Sequence, residues 1–169
     1  MTAGVLLMSD LLKPLQALAP RINAASDDLS QSLASIEQQI NDLSLGVEAW
    51  LIEDHQALSS EIVWPDNDRD SGYRFQHEQE LGYGRHGDAW ALLVRTVAYP
   101  QSSRQNNPQG WEYDGEPFEL ERKPLLRSSR SIRARAVDRL PALVNAIRDE
   151  ASKVIEAVER ARQVADSLK

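Results

Sequence analysis

No cysteine occurs among the 169 residues, which removes disulfides, thiolate nucleophiles and sulfur-ligated metals together and fits a reducing, cytoplasmic setting. Long apolar runs are missing as well. The first twenty residues contain Val5, Leu6, Leu7, Leu11 and Leu12, but Asp10 interrupts them and no basic segment precedes them. Neither a signal peptide nor a membrane span is expected. The chain has no internal repeat, and it lacks the G-x-G-x-x-G, G-x-x-x-x-G-K-[ST], G-x-S-x-G and H-E-x-x-H patterns. The phosphate cradle, the nucleophile elbow and the helical zinc site that those spacings build are therefore not signalled. Excess positive charge is also absent, because the formal charge is −7. Such a balance favours solubility and argues against a surface that is basic throughout.

What is present, first of all, is an apolar run stepping four and three through Leu29, Leu33, Ile36, Ile40, Leu43, Val47 and Trp50. That alternation marks the seam of a helix lying along another helix, and it is the candidate interaction surface. Backward, the same phase continues through Ile22, Ala19, Leu15, Leu12, Met8 and Val5. Pro14 and Pro20 oppose one unbroken helix, since proline is tolerated in a first turn and disruptive inside one. The expectation is a short or frayed helix over 1–19 and a long helix over 20–63, ended by the breaker-rich run from Trp64-Pro65 to Gly72.

Over 73–121 the period changes and an antiparallel sheet is expected. Glu80 to Leu92 reads as a hairpin turning at His86-Gly87, which sets Tyr83 opposite Trp90 and Gly82 opposite Ala91. One face would then be aromatic and aliphatic, and the other would carry only small residues, as close packing of a helix requires. Residues 100–117, with three of the prolines and two of the glycines, read as a polar loop. Glu116 to Glu121 reads as a third strand with one wet face. From 124 to 168 the helical period returns through Ile132, Ala136, Leu140, Leu143, Ile147, Val154 and Val158, with Pro141 expected to kink or split it.

Seven of the 19 basic residues fall between Arg122 and Arg139. Arg127, Arg130 and Arg135 point away from the apolar stripe and form a candidate anion-binding set, although a phosphate-tracking helix would prefer convergence. The bland alternative is that these arginines complement the chain's own acids while their stems cover apolar surface. Trp111 and Tyr113, set in the polar loop, are a candidate partner epitope. Asp66, Asp68 and Asp70 fail as a calcium loop because Gly72 comes one place late and His77 stands where a bidentate glutamate is needed. His77, Glu78, His86 and Asp88 match no zinc spacing, so no metal and no cofactor is expected.

The fold class implied is α+β: long helices forming a coiled-coil or bundle-like pair, most simply antiparallel, with a small three-stranded antiparallel sheet at one end. The order helix, hairpins, helix resembles that of prefoldin-type chaperone subunits, a likeness of element order that assigns no residue a role. The function expected is that of a non-enzymatic interaction protein in the cytoplasm acting through a helical surface, as an oligomer, adaptor or chaperone-like subunit. A homo-oligomer, most simply a dimer, would cover the seam, with a further protein partner as the other occupant. Nucleic-acid or polyanion binding through 122–139 is the alternative, and a small enzyme with an unrecognised site is the third.

Overall fold

The N-terminal apolar stepping folds as one helix, α1 (Ala3–Asp42), with Pro14 and Pro20 inside it. The computed structural model describes residues 3–52, 56–65, 72–104 and 107–168. Proline removes the N–H that would reach the carbonyl four residues back. For Pro20 that carbonyl belongs to the exposed Gln16, where water can serve it. The separate short helix expected over 1–19 is thus not formed.

α1 ends at Asp42, well short of the end expected at residue 63. Ser44, at φ 52°, and Gly46, at φ 65°, both take the left-handed backbone conformation, and the Ser44 N–H closes the last turn on the Asn41 carbonyl at 2.9 Å. Gly46 provides that conformation without a Cβ penalty. Beyond it Val47, Ala49 and Leu51 are buried and alternate with Glu48, Trp50 and Ile52, which is the period of a strand. β1 (Ala49–Trp50) and β2 (Ser59–Val63) follow.

Two long strands form the centre of the molecule: β3 (Tyr73–His86) and β4 (Ala89–Arg104). β5 (Asn107–Tyr113) and β6 (Phe118–Pro124) complete a six-stranded, curled antiparallel sheet. β1 and β2 share one edge of β3, and β5 and β6 share the outer edge of β4. A small three-stranded sheet beside coiled-coil helices is therefore not the fold. The hidden strands were β1 and β2, read as helix, and β5 with the end of β4, read as loop. The hairpin turns at Gly87-Asp88, with His86 opposite Ala89 and Tyr83 opposite Leu92. Only Gly87 of that pair has positive φ, as in a two-residue turn with glycine first. The slip from the expected register is two residues, so each side chain keeps its face.

After a single 3-10 turn at Leu125–Arg127, Ser129 caps α2 (Arg130–Ser167) by accepting from the Ile132 N–H. Pro141 lies inside α2 without splitting it, and the carbonyl it leaves unpaired belongs to the partly exposed Val137. Asn23 bonds Arg130, Ser26 and Ser30 bond Arg133, and Ile40 lies beside Ile147 in one groove. The two helices consequently run parallel; the antiparallel fold-back is overturned by this pairing of start with start. The core joins Leu33 and Ile40 of α1, Ile132, Ala136, Leu140, Leu143 and Ile147 of α2, and Leu81, Tyr83, Leu92 and Val94 of the sheet.

Candidate interaction surface

α1 is fastened to the hairpin by polar contacts as well as packing. The Glu37 carboxylate accepts the Leu92 N–H at 2.7 Å. The Tyr83 hydroxyl donates to Asn41 Oδ1 at 2.6 Å, and Asn41 Nδ2 donates to the Trp90 carbonyl. Burial raises the Glu37 pKa, against the lowering effect of the Leu92 hydrogen bond. Burial and the nearby Glu37 charge raise that of Tyr83.

The expected seam divides at Asp42. Leu33 and Ile40 are buried, and Leu29 and Ile36 pack at the edge of the core, whereas Leu43 is 64% exposed. Val47 is buried in the segment leading to β1, and Trp50 lies in β1 on the opposite face of the sheet from the helices. Both helices also outrun their contact with each other. The α1 stripe continues through Leu12, Leu15 and Ile22, at 44%, 60% and 52% exposure, and the α2 stripe continues through Val154, Ile155 and Val158, at 52%, 60% and 46%. The side chains of Val5 and Met8 lie outside the described residues. A groove of about 370 Å³ opens where the end of α1 meets the middle of α2, walled by Ile40, Leu43, Leu45, Val144 and Ile155.

The second face of the sheet has a different character. The Trp50 indole lies over Gly82, where an added Cβ would come within 2.2 Å of the ring. Glu48 covers Gly84 in the same way, at 2.9 Å. The small-residue face thus receives side chains from β1 and the residue before it, not a helix. Two guanidiniums stack on the indole, Arg95 at 4.2 Å and Arg122 at 4.9 Å, in cation–π contact. Glu80, 1% exposed, accepts from Arg95 at 2.8 Å and from the Tyr99 hydroxyl. Burial and then that hydrogen bond push the Tyr99 pKa far above its ordinary value. Arg122 bonds Glu119 and Glu48, which holds Glu119 below the usual carboxylate range and raises Arg122. Both guanidiniums of this face are thus paired with carboxylates, Arg95 with Glu80 and Arg122 with Glu119 and Glu48.

The other candidates are dispersed. Arg130 donates to Asn23 Oδ1 at 2.8 Å and Arg135 to the Leu58 carbonyl at 2.9 Å, while Arg127 is exposed on the turn before α2. The three do not converge. Trp111 is on β5, edge-on to Trp64 at 5.4 Å and under the Arg74 guanidinium at 4.0 Å. Tyr113, 58% exposed, tilts against Tyr99 at 5.8 Å. His77 faces Glu61 at 4.0 Å, and His86 ends β3. Among the described residues no three histidine or acidic side chains converge to hold a metal ion, and no helix is long and apolar enough to cross a membrane. The Asp66–Asp70 run lies outside the described residues.

What sequence reasoning missed is the arginine-stacked Trp50. Its signal was Gly46 inside the apparent heptad run, followed by the alternation of Val47, Ala49 and Leu51. No protein-family model matches this chain, and neither the curated proteins nor the solved structures contain a significant relative.

Proposed function

We propose that the protein is a non-enzymatic intracellular interaction protein, whose sheet is a platform and whose projecting helix ends are the contact surface. The observation that carries this reading is the bare continuation of two buried stripes. Leu33 and Ile40 in α1, and Leu143 and Ile147 in α2, are core residues. The same faces then run on past the core through the exposed Leu12, Leu15 and Ile22 of α1 and the exposed Val154 and Val158 of α2, with alanines between them. A lone surface leucine needs no explanation, but contiguous apolar surface along a helix marks a contact site. A solvated helix has no use for a stripe there, since the opposite face already keeps it soluble. The roles this supports are oligomer, adaptor or chaperone-like subunit, and the two bare ends make self-association the simplest of them.

Light scattering during size exclusion, paired with amide hydrogen exchange, tests the reading. The expected result is a mass above 19.0 kDa at micromolar concentration, with slowed exchange over residues 12–22 and 152–167. A monomer whose two helix ends exchange freely, alone and in extract of the native host, would overturn it.

A further inference from the structure

Resting on that reading, we infer that the occupant of each bare helix end is the other helix end of a second copy, so that copies join head to tail through a parallel α1–α2 pair. Within one chain, α1 and α2 already run parallel over residues 23–40 and 130–147. Their free ends therefore lie at opposite ends of this shared segment. α1 projects on the side of residue 3, and α2 on the side of residue 167. Translating a second copy along the helix axis brings its α1 end beside the first copy's α2 end, still parallel. The joint thus continues the interface the chain makes with itself.

The stripes are in matching phase. Leu12, Leu15, Ala19 and Ile22 step three, four and three; Val158, Ala161, Ala165 and Leu168 step three, four and three. In parallel helices equivalent seam positions meet in layers, and here Leu12 meets Val158, Leu15 meets Ala161, Ala19 meets Ala165 and Ile22 meets Leu168. Flanking positions widen both stripes, with Leu18 at 42% exposure on α1 and Ile155 and Val164 near 60% on α2. An overlap of twenty residues is about 30 Å of helix. Charge favours this pairing over like with like. Residues 3–22 carry Lys13 and Arg21 against Asp10, one net positive charge, while 148–167 carry four basic residues against five acidic, one net negative charge. Pairing α1 with α1, or α2 with α2, would also leave the other stripe bare in every copy. A contact between different surfaces of identical copies is heterologous, and it propagates unless the rotation closes.

Two complementary variants decide the matter. One carries Leu12→Glu and Leu15→Glu, the other Val154→Glu and Val158→Glu. All four positions are outside the core, so both variants should melt like the parent. The parent should grow with concentration, and each variant alone should hold at 19.0 kDa. An equimolar mixture should give a species of twice that mass and no more, because it contains one intact joint. Either variant dimerising alone would overturn the inference in favour of a two-fold pairing of like ends. A mixture that stays monomeric while the parent assembles would overturn it and leave the interaction reading standing. A parent that stays monomeric, with helix ends protected only in host extract, would replace the second copy by a different protein. A parent that stays monomeric with unprotected ends would sink both.

Discussion

The two faces of the β3–β4 ribbon are held by different physics. Leu81, Tyr83, Leu92 and Val94 on one face are covered by the two helices, which are distant in the chain, through close apolar packing. Gly82, Gly84 and Arg95 on the other are covered by the edge strands of the same sheet, through one indole, two guanidiniums and their carboxylates. Apolar packing is non-directional and tolerates any donor element of the right shape. The Trp50 cluster depends instead on which residue stands opposite which, so it is specified by register.

Substitution separates the two. The largest effect is expected on the helix face: Leu143→Ala, at a position with no exposure, should cost about 2–5 kcal/mol in a denaturant titration, from lost burial plus the cavity left behind. On the other face Gly82→Val should cost about 1–3 kcal/mol by overpacking against Trp50. Adding Trp50→Ala should return much of that loss, so the double-mutant cycle gives a coupling energy, and simple additivity would show that the indole is not what the valine meets.

Smaller again is the combined change of Arg127, Arg130 and Arg135 to Glu. It removes the bonds to Asn23 and the Leu58 carbonyl, worth about 0.5–1.5 kcal/mol each, and should lower the melting temperature without abolishing any nucleic-acid complex. A salt-sensitive DNA or RNA complex of the parent, lost in the triple variant at unchanged melting temperature, would establish a polyanion site there instead.

The smallest effect is Glu37→Gln. Burial raises the Glu37 pKa from its ordinary 4.5, so folding favours the neutral form. The stability linked to this group is complete below the ordinary value and declines as pH rises through the raised one. The glutamine variant should thus match the parent in acid and gain on it toward neutrality. Equal stabilities at every pH would mean the Leu92 hydrogen bond cancels the burial cost.

Much of the helix face was legible in the sequence. The stripes through Leu33 and Ile40, and through Leu143 and Ile147, were recovered because a 3.6-residue period persists over many turns. Their relative direction was not, since periodicity reports a face and says nothing of what covers it. The Trp50 cluster was illegible for a sharper reason. Leu43, Val47 and Trp50 satisfy a heptad, while Val47, Ala49 and Leu51 satisfy a strand, and only Gly46 arbitrates. Prolines misled in the opposite sense: Pro14 and Pro20 argue against one unbroken helix, yet α1 passes through both, and of the kink or split expected at Pro141 the split does not occur. The arginine set was readable as a cluster in sequence, but its dispersion across Asn23 and Leu58 depends on tertiary contacts.

The tight turn at Gly87-Asp88 also bears on the order in which this fold assembles. From it the β3–β4 ladder can zip outward, each pairing enlarging an already closed loop by a few residues, whereas the Asn23–Arg130 contact must close 107 residues. Kinetic consequences of substitution should split along that line. Gly87→Val, at φ 62°, should slow refolding, while Leu33→Ala should chiefly hasten unfolding, because the helices dock after the barrier is passed. Stopped-flow rates in both directions would reverse this order of events if Leu33→Ala slowed refolding the more.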